Sequence, residues 1–372
     1  MRSISYLPLL ALVTMVLTGC THTEFVPPSS SVTSNSSSTT SADILKNTEP
    51  SVIVKNLEIP WDIAFLPEGE ILITERPGRL LLRKTDGAIK QIQGLPKVRA
   101  SGESGLLGIA LHPNFNDNHW VYLYFTDGSL GSTKCHVERF RLDGETLTDR
   151  KTIIEGIPGA IYHDGGRIAF GPDGMLYITT GDAGNASAAQ DLVSLSGKIL
   201  RVKDDGSIPT DNPFQTAVWS YGHRNPQGLA WDDKGRLWST EHGRSGIQTG
   251  YDELNLIERG ANYGWPTIQG DAKREGMKSP MAHSGPSTTW APASAVYKDG
   301  KILFGGLKDE RLYEADIQTN PPTIKEYFVN AFGRIRTVTI GPDSSLYLTT
   351  SNRDGRGTPT SEDDRIIRVE PK

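Results

Sequence analysis

The sequence has little cysteine and no excess of positive charge, and each shortage excludes a class of protein. Cys20 and Cys135 are its only cysteines, so a disulfide-rich fold is excluded. The formal net charge of −5 gives no electrostatic basis for binding nucleic acid. The chain also lacks a haem-attachment motif. No segment shows a sustained helical period, whereas its 39 glycines and 23 prolines favour short strands joined by tight turns.

One long apolar run, Ile4 to Leu17, lies near the N-terminus. It is shorter than the roughly 20 residues of a membrane span but fits the core of a signal peptide. The run ends in Leu-Thr-Gly-Cys at 17–20, which resembles the processing box of bacterial lipoproteins. We therefore predict a signal peptide over residues 1–19 and lipidation of Cys20; the alternative is an ordinary secretory peptide with a chance cysteine. Because Thr21 replaces the aspartate that retains lipoproteins at the inner membrane, this resemblance implies anchoring at the periplasmic face of the outer membrane.

A polar segment follows the predicted lipidation site. Pro27 to Ala42 are almost all Ser, Thr, Pro and other small residues, which cannot bury enough apolar surface to fold. Residues 20–48 are therefore predicted to form a flexible tether, and residues 49–372 the folded domain. With Cys20 lipidated, Cys135 has no partner for an internal disulfide and is expected to be a buried strand residue without a chemical role.

A single phrase recurs along the rest of the chain: a turn rich in Pro, Asp or Gly, followed by a strand of alternating apolar residues. Six copies, spaced by roughly 40 to 65 residues, match the period of propeller blades. They lie at residues 67–75, 113–125, 171–178, 233–241, 298–304 and 341–349. We predict a single-domain, all-β, six-bladed β-propeller. Pairing of Val52 to Leu57 with Ile366 to Val369 is expected to close the ring and remove its open edge.

A histidine and an aspartate flank the third copy of this phrase. His163 precedes the first strand of a predicted antiparallel hairpin and Asp182 follows the second. The two ends of such a hairpin return to the same edge, so the carboxylate is expected to meet the imidazole and fix its tautomer. Taken alone, His163 is more simply interpreted as an ordinary polar loop residue, and the rest of the chain decides between the two.

Basic residues, and one asparagine beside them, cluster where other strands begin or end. Arg224 and Asn225 precede a strand at 229–231, Arg334 and Arg336 enter the last copy of the phrase, and Lys308 ends the one before. Together they predict a pocket for a multiply charged organic anion. The alternatives are a structural network that braces a blade and a set of surface salt bridges.

Two glycine-rich loops carry acidic residues. Glu103 lies in Gly-Glu-Ser-Gly-Leu-Leu-Gly at 102–108, which lacks the lysine and the helix of a phosphate-binding loop. A solvent-exposed glutamate is the alternative interpretation there. The second loop, between Glu241 and Asp252, offers the hard oxygen donors that calcium selects, although its spacing is not that of an EF-hand.

An ordered series of motifs resembles the soluble quinoprotein aldose sugar dehydrogenases, which are six-bladed propellers that use pyrroloquinoline quinone (PQQ). The resemblance extends from about residue 57 to 369. The motifs include Gly-Leu-Leu-Gly at 105–108, Gly-Lys-Ile-Leu-Arg at 197–201, Gly-His-Arg-Asn-Pro-Gln-Gly-Leu at 222–229, Asp-Glu-Leu-Asn-Leu-Ile at 252–257, Asn-Tyr-Gly-Trp-Pro at 262–266 and Arg-x-Arg at 334–336.

The resemblance implies a role for each candidate. It makes His163 the general base toward the anomeric hydroxyl, Asp182 its orienting partner, and Arg224 the group that stabilises charge on the reduced cofactor. The remaining predicted cofactor contacts are Glu103, Asn225, Lys308, Arg334 and Arg336. One calcium ion is implied at the backbone carbonyls of Gly243 and Arg244, and a second, structural ion at Glu253 and Tyr263.

The implied activity is PQQ- and calcium-dependent oxidation of aldoses to lactones, with electrons passed to an external quinone or cytochrome. Two loops depart from the family pattern: Gly243-Arg244 replaces the family's usual Gly-Pro, and the loop at 183–188 is short and has small side chains. Two other functions stay open: a propeller that binds a ligand or partner without catalysis, and a calcium-dependent lactonase-type hydrolase. The hydrolase needs a cluster of carboxylates in the channel, whereas the predicted channel residues here are mostly basic.

Overall fold

The computed structural model of the protein describes residues 45, 48–129, 131–245 and 249–370. The predicted signal peptide, Cys20 and nearly all of the predicted tether lie outside the described residues. Within the described ranges, no helix is long and apolar enough to cross a membrane.

The described chain forms 24 strands in six four-stranded antiparallel sheets, numbered here in chain order. The first three sheets contain β2 (Pro60–Phe65), β3 (Ile71–Glu75), β4 (Arg79–Arg83) and β5 (Ile89–Gln91); β6 (Leu106–Leu111), β7 (Trp120–Asp127), β8 (Lys134–Asp143) and β9 (Thr146–Pro158); and β10 (Ile168–Phe170), β11 (Leu176–Thr180), β12 (Lys198–Val202) and β13 (Val218–Tyr221). The fourth and fifth contain β14 (Pro226–Trp231), β15 (Leu237–Glu241), β16 (Glu253–Ile257) and β17 (Ala282–His283); and β18 (Pro292–Lys298), β19 (Lys301–Gly306), β20 (Arg311–Asp316) and β21 (Thr323–Tyr327). The predicted six-bladed propeller is confirmed.

The sixth blade joins the two ends of the domain. It contains β22 (Ile335–Ile340), β23 (Leu346–Thr350), β24 (Ile366–Val369) and β1 (Ser51–Val54), and β1 pairs antiparallel with β24. The predicted closure of the ring is therefore confirmed. Two short helical segments, α1 (Phe115–Asn118) and the 3₁₀ turn Ala186–Gln190, lie in connections between strands.

The recurring phrase of the sequence marks the same strand in every blade, namely the second one: β3, β7, β11, β15, β19 and β23. Its turn has a chemical cause. The Asp173 carboxylate accepts hydrogen bonds from the N–H of Met175 at 3.1 Å and the hydroxyl of Tyr177 at 3.0 Å. Asp343 makes the same pair of bonds two and four residues ahead. An aspartate that bonds its own backbone two residues on favours a turn, which fixes the start of the strand.

Buried side chains join each blade to the next. One core cluster, for example, combines Tyr122 and Val137 of the second blade with Ile178 and Leu200 of the third. Each such side chain contributes about 1.5–3 kcal/mol when fully buried. Threonine hydroxyls add specific links, such as Thr74 to the carbonyl of Leu107 at 2.6 Å. The six inner strands are thus held in a fixed ring, and the loops that enter them are fixed with it.

Candidate active site

Residues that precede or follow inner strands of different blades meet in one cavity of about 700 Å³. Because the blades repeat one topology around the ring, the residues just before their inner strands converge at one end of the channel. Of the predicted site residues, the cavity is lined by Glu103, His163, Arg224, Asn225, Gly243, Arg244, Lys308 and Arg334. Asp182 lines an adjoining cavity of about 290 Å³ that shares His163 and Arg224 with the first. Arg336, Glu253 and Tyr263 line neither cavity.

The predicted pairing of His163 with Asp182 is present. Nδ1 of His163 lies 2.8 Å from Oδ1 of Asp182, and their side chains are 14% and 3% exposed. Asp182 also accepts the indole N–H of Trp265 at 2.9 Å and the N–H of Gly184 at 2.8 Å. Burial alone would raise the pKa of Asp182, but the hydrogen bond and charge of His163, with these two donors, outweigh burial and lower it. An ionised Asp182 that accepts the Nδ1 proton leaves Nε2 of the imidazole as the basic nitrogen.

The backbone of His163 is held in an unusual conformation. Its φ is +62°, in the left-handed region that a residue with a side chain rarely adopts. Glu103 accepts the His163 N–H at 2.9 Å through one carboxylate oxygen and pairs with Arg356 at 2.8 Å through the other. Gly181 leaves room for the His163 carbonyl, since a Cβ at this glycine would lie 1.8 Å from that oxygen. Glu103 therefore holds the backbone of His163 in place, and it also lines the cavity.

Arg224 and Asn225 lie at the start of the inner strand β14. The Arg224 guanidinium contacts the Ser245 hydroxyl at 2.9 Å, and its centre lies 5.4 Å from the Trp265 ring. Burial is the main reason why the pKa of Arg224 is lowered. The Asn225 side-chain oxygen accepts the N–H of Gly165 at 3.0 Å. This bond fixes the amide beside the loop that carries His163.

The other predicted cations have different surroundings. Lys308 is exposed and lines the cavity. Arg334 donates to Asp354 at 2.8 Å and to the Leu307 carbonyl at 2.7 Å, so one carboxylate already balances part of its charge. Arg336 is buried, its Nη1 donates to Gln227 at 3.2 Å, and its guanidinium lies 5.6 Å from the ring of Trp61. The two side chains thus have different hydrogen-bond partners, but they are close enough that burial, together with Arg76 and Arg334, lowers the pKa of Arg336.

Of the two backbone carbonyls that the resemblance assigns to calcium at Gly243 and Arg244, the second has a hydrogen-bond partner. The Arg244 carbonyl accepts the N–H of Gly250 at 3.1 Å. The nearest carboxylate, Asp252, accepts the N–H of Gly243 at 2.7 Å and the hydroxyl of Thr289 at 2.5 Å. Among the described residues, no group of three or more acidic, histidine or cysteine side chains could hold a metal ion.

The second predicted calcium position differs. The Tyr263 hydroxyl is hydrogen-bonded on both sides, since it donates to the Leu256 carbonyl at 2.6 Å and accepts the backbone N–H of Glu258 at 2.8 Å. Glu253, in contrast, lies beside the buried Glu241, and burial together with that like charge raises the pKa of Glu253. A cation between these two carboxylates would relieve their repulsion.

Sequence reasoning missed several residues of the cavity. These are Tyr162, His242, Asp252 and Arg356, together with Trp265 in the adjoining cavity. Burial, reinforced by Arg224 and Arg336 and only partly offset by Glu103, lowers the pKa of His242 to about 3. Position gave a partial signal for two of them: Tyr162 is next to His163, and His242 directly follows the repeated strand phrase. The ion pair of Arg356 with Glu103 joins residues 253 positions apart, which no local pattern predicts.

The chain belongs to the glucose/sorbosone dehydrogenase family, whose sequence profile matches residues 57–366. It is 34% identical over 356 residues to the aldose sugar dehydrogenase YliI of Escherichia coli K12, and the aligned region covers 86% of this chain and 92% of that protein. Quinoprotein glucose dehydrogenase B of Acinetobacter calcoaceticus is 34% identical over 260 residues, or 60% of this chain and 54% of that protein. The solved PQQ-bound form of the aldose sugar dehydrogenase from Streptomyces coelicolor has a TM-score of 0.80 at 40% identity, and covers 87% of this chain and 98% of that one.

Proposed function

We propose that this protein is a PQQ-dependent dehydrogenase that oxidises aldoses at the anomeric carbon to lactones. The single observation that carries this proposal is the His163–Asp182 pair at 2.8 Å, at the edge of a cavity whose wall contains Arg224, Lys308 and Arg334. A positioned base beside a pocket for an organic anion is what this reaction requires.

The cavity wall fits PQQ by its donors. PQQ carries several carboxylates, which the guanidinium of Arg334 and the ammonium of Lys308 are suited to bind, and the guanidinium of Arg224 is suited to the quinone oxygens. Asn225 adds an amide, and the buried Nε2 of His242 is a polar atom without a protein partner among the described residues. When bound, PQQ supplies the quinone that accepts a hydride from the anomeric carbon.

His163 performs the proton transfer. Its Nε2 takes the proton of the anomeric hydroxyl as the carbonyl of the lactone forms, and the ionised Asp182 stabilises the resulting imidazolium through Nδ1. Arg224 places a positive charge at the same wall, where it stabilises negative charge on the reduced cofactor. Trp265 and Gly184 hold Asp182 in place, so the imidazole keeps the orientation that this transfer needs.

Calcium dependence is part of the proposal only at the level of binding. The carboxylates of Glu241 and Glu253, which are register partners, support a cation at the structural position, and the backbone carbonyls of Gly243 and Arg244 stay the candidate donors beside the cofactor. No proton or hydride step above depends on calcium. We expect EDTA treatment to lower the melting temperature, and calcium to restore it more effectively than magnesium.

We further propose that Cys20 is lipidated and that the domain faces the periplasm from the outer membrane, passing electrons to a separate quinone or cytochrome. The Leu-Thr-Gly-Cys box at 17–20 and Thr21 support this proposal. Labelling with a radioactive fatty acid should mark the protein in cells, and Cys20→Ala should abolish the label. Fractionation that finds the labelled protein in the inner membrane would refute outer-membrane sorting.

The activity test uses the domain purified without its lipid. PQQ is added with and without calcium, and dye reduction is measured with glucose and other aldoses. We expect PQQ-dependent dye reduction in the wild type, and His163→Ala should keep PQQ binding but lose turnover. Binding of PQQ without turnover would favour the non-catalytic propeller, and hydrolysis of lactones without PQQ would favour the lactonase.

A further inference from the structure

His242 is a polar residue of the cavity wall that the mechanism above does not use. It directly follows β15 and lines the cavity together with Asn225 and Gly243. The Nε2 atom is buried, yet it makes no hydrogen bond with any described residue. A buried polar atom without a hydrogen-bond partner is destabilising. This nitrogen therefore needs a hydrogen-bond partner from outside the described residues.

The surroundings of His242 fix the position of its backbone. Its N–H donates to the carbonyl of Asn225 at 3.2 Å, and its carbonyl accepts Nη1 of Arg224 at 3.5 Å. The other terminal nitrogen of Arg224 is bound to Ser245 at 2.9 Å. The nearest guanidinium is therefore already engaged with a backbone carbonyl and a hydroxyl. The unpaired atom belongs to a residue whose backbone is bound to Asn225 and Arg224, two of the predicted cofactor contacts.

We propose that Nε2–H of His242 donates a hydrogen bond to an oxygen atom of PQQ, which makes His242 a cofactor-binding residue of this protein. This inference rests on the proposed function. The carboxylate and quinone oxygens of PQQ are acceptors, and an N–H donor at this point of the wall matches them. His242 adds direction to a site whose other predicted contacts are mostly cations, because an imidazole N–H lies along one axis of a rigid ring.

The test measures cofactor affinity and the stability of the cofactor-free protein separately. The variants are His242→Ala, His242→Gln, which keeps an N–H donor, and His242→Leu, which is apolar. His136→Ala is the matched control, because this histidine of β8 pairs with Asp127 at the end of β7 and lines neither cavity. The Kd for PQQ is obtained by fluorescence titration, and melting temperatures are recorded with and without PQQ.

We expect Kd to rise roughly 10- to 100-fold in the Ala and Leu variants and less in the Gln variant, as for loss of a hydrogen bond to a charged group. The melting temperature without PQQ should not fall in the Leu variant, because the unpaired atom is removed. An unchanged Kd in the folded Ala and Leu variants, as when a water satisfies Nε2, would overturn the inference while the proposed function stands. If the wild type binds no PQQ, the proposed function and this inference both fail.

Discussion

The carboxylate of Glu103 lies 2.9 Å from the backbone nitrogen of His163, 60 positions along the chain. The resemblance predicts that Glu103 contacts the cofactor, whereas this bond makes it a support for the base. The other carboxylate oxygen is paired with Arg356. Both oxygens thus have protein partners, and the pKa of Glu103 is lowered because the His163 N–H and Arg356, among other groups, outweigh the effect of burial.

Replacement of Glu103 separates these two roles. If Glu103 supports His163, Glu103→Ala should lower kcat about 10-fold or more, since a strained backbone loses its acceptor. Glu103→Gln, which can still accept the N–H, should retain more activity. The Kd for PQQ should change little in either variant. A weakened Kd with an unchanged kcat would instead assign Glu103 to the cofactor, and Arg356→Ala serves as the control because an exposed ion pair contributes at most about 1 kcal/mol.

Replacement of Asp182 tests the dyad. Asp182→Asn should lower kcat by roughly 10²- to 10⁴-fold, because the imidazolium loses its counter-charge. The matched change Trp265→Phe removes only one donor to Asp182 and should cost less. Steady-state dye reduction at saturating PQQ provides the measurement. Combining Asp182→Asn with His163→Ala should cause no further loss, whereas additive losses would contradict a shared role.

The buried pair of Arg334 and Asp354 should respond unevenly to mutation. Their side chains are 5% and 2% exposed. Arg334→Met leaves the buried carboxylate of Asp354 without its charged partner. The free energy of unfolding should therefore fall by about 3–5 kcal/mol. Adding Asp354→Asn should recover much of this stability but not the affinity for PQQ. Urea unfolding and PQQ titration of the two variants provide the comparison, and recovery of both properties would show that Arg334 has no role in binding.

Asp164 should make the stability depend on pH. Its buried carboxylate accepts a hydrogen bond from the Ser104 hydroxyl at 2.7 Å and another from the N–H of Ala160 at 2.8 Å. Burial, only partly offset by these donors, raises its pKa from 3.8 to about 6. Because the folded state holds the proton more tightly, this contribution is complete below pH 4 and is lost as pH rises through 6, a change of about 3 kcal/mol.

Unfolding in urea between pH 4 and 7 measures that change. Asp164→Asn should show a smaller fall of stability with rising pH than the wild type. Asp343→Asn is a control that should leave the slope between pH 4 and 7 nearly unchanged, since the Ser345 N–H and Arg368 outweigh burial and lower the pKa of Asp343 below its usual 3.8. Its contribution is lost as pH falls rather than as it rises. Equal pH slopes for the wild type and Asp164→Asn would contradict the prediction.

The fold was predictable because the blade is a local unit. The turn aspartates, of which Asp173 is an example, bond residues two and four positions ahead, so each repeat carries its own signal. The meeting of His163 with Asp182 was predictable for the same reason, since one hairpin joins them. A contact within a blade needs only the strand period and the turn.

Contacts between blades were not predictable from such patterns. Strand alternation places Arg334 and Arg336 on one face, yet Arg334 precedes β22, and the pairing of β22 with β23 shifts between Ile335 and Val338. The two guanidinium groups donate to different partners, Asp354 and Gln227, which the sequence pattern does not indicate. His242 shows a second limit, because the lack of a partner at one buried atom depends on every neighbour at once.

The pairing of β1 with β24 has a consequence for biosynthesis. Ser51 and Arg368 are register partners, so the first strand of the domain must wait for the last one to be made. Until then the sixth blade exposes an unsatisfied edge that invites aggregation. Contacts this distant in sequence also slow folding. The nascent chain should therefore be a client for holding chaperones, and removal of residues 366–369 should yield insoluble protein rather than a five-bladed product.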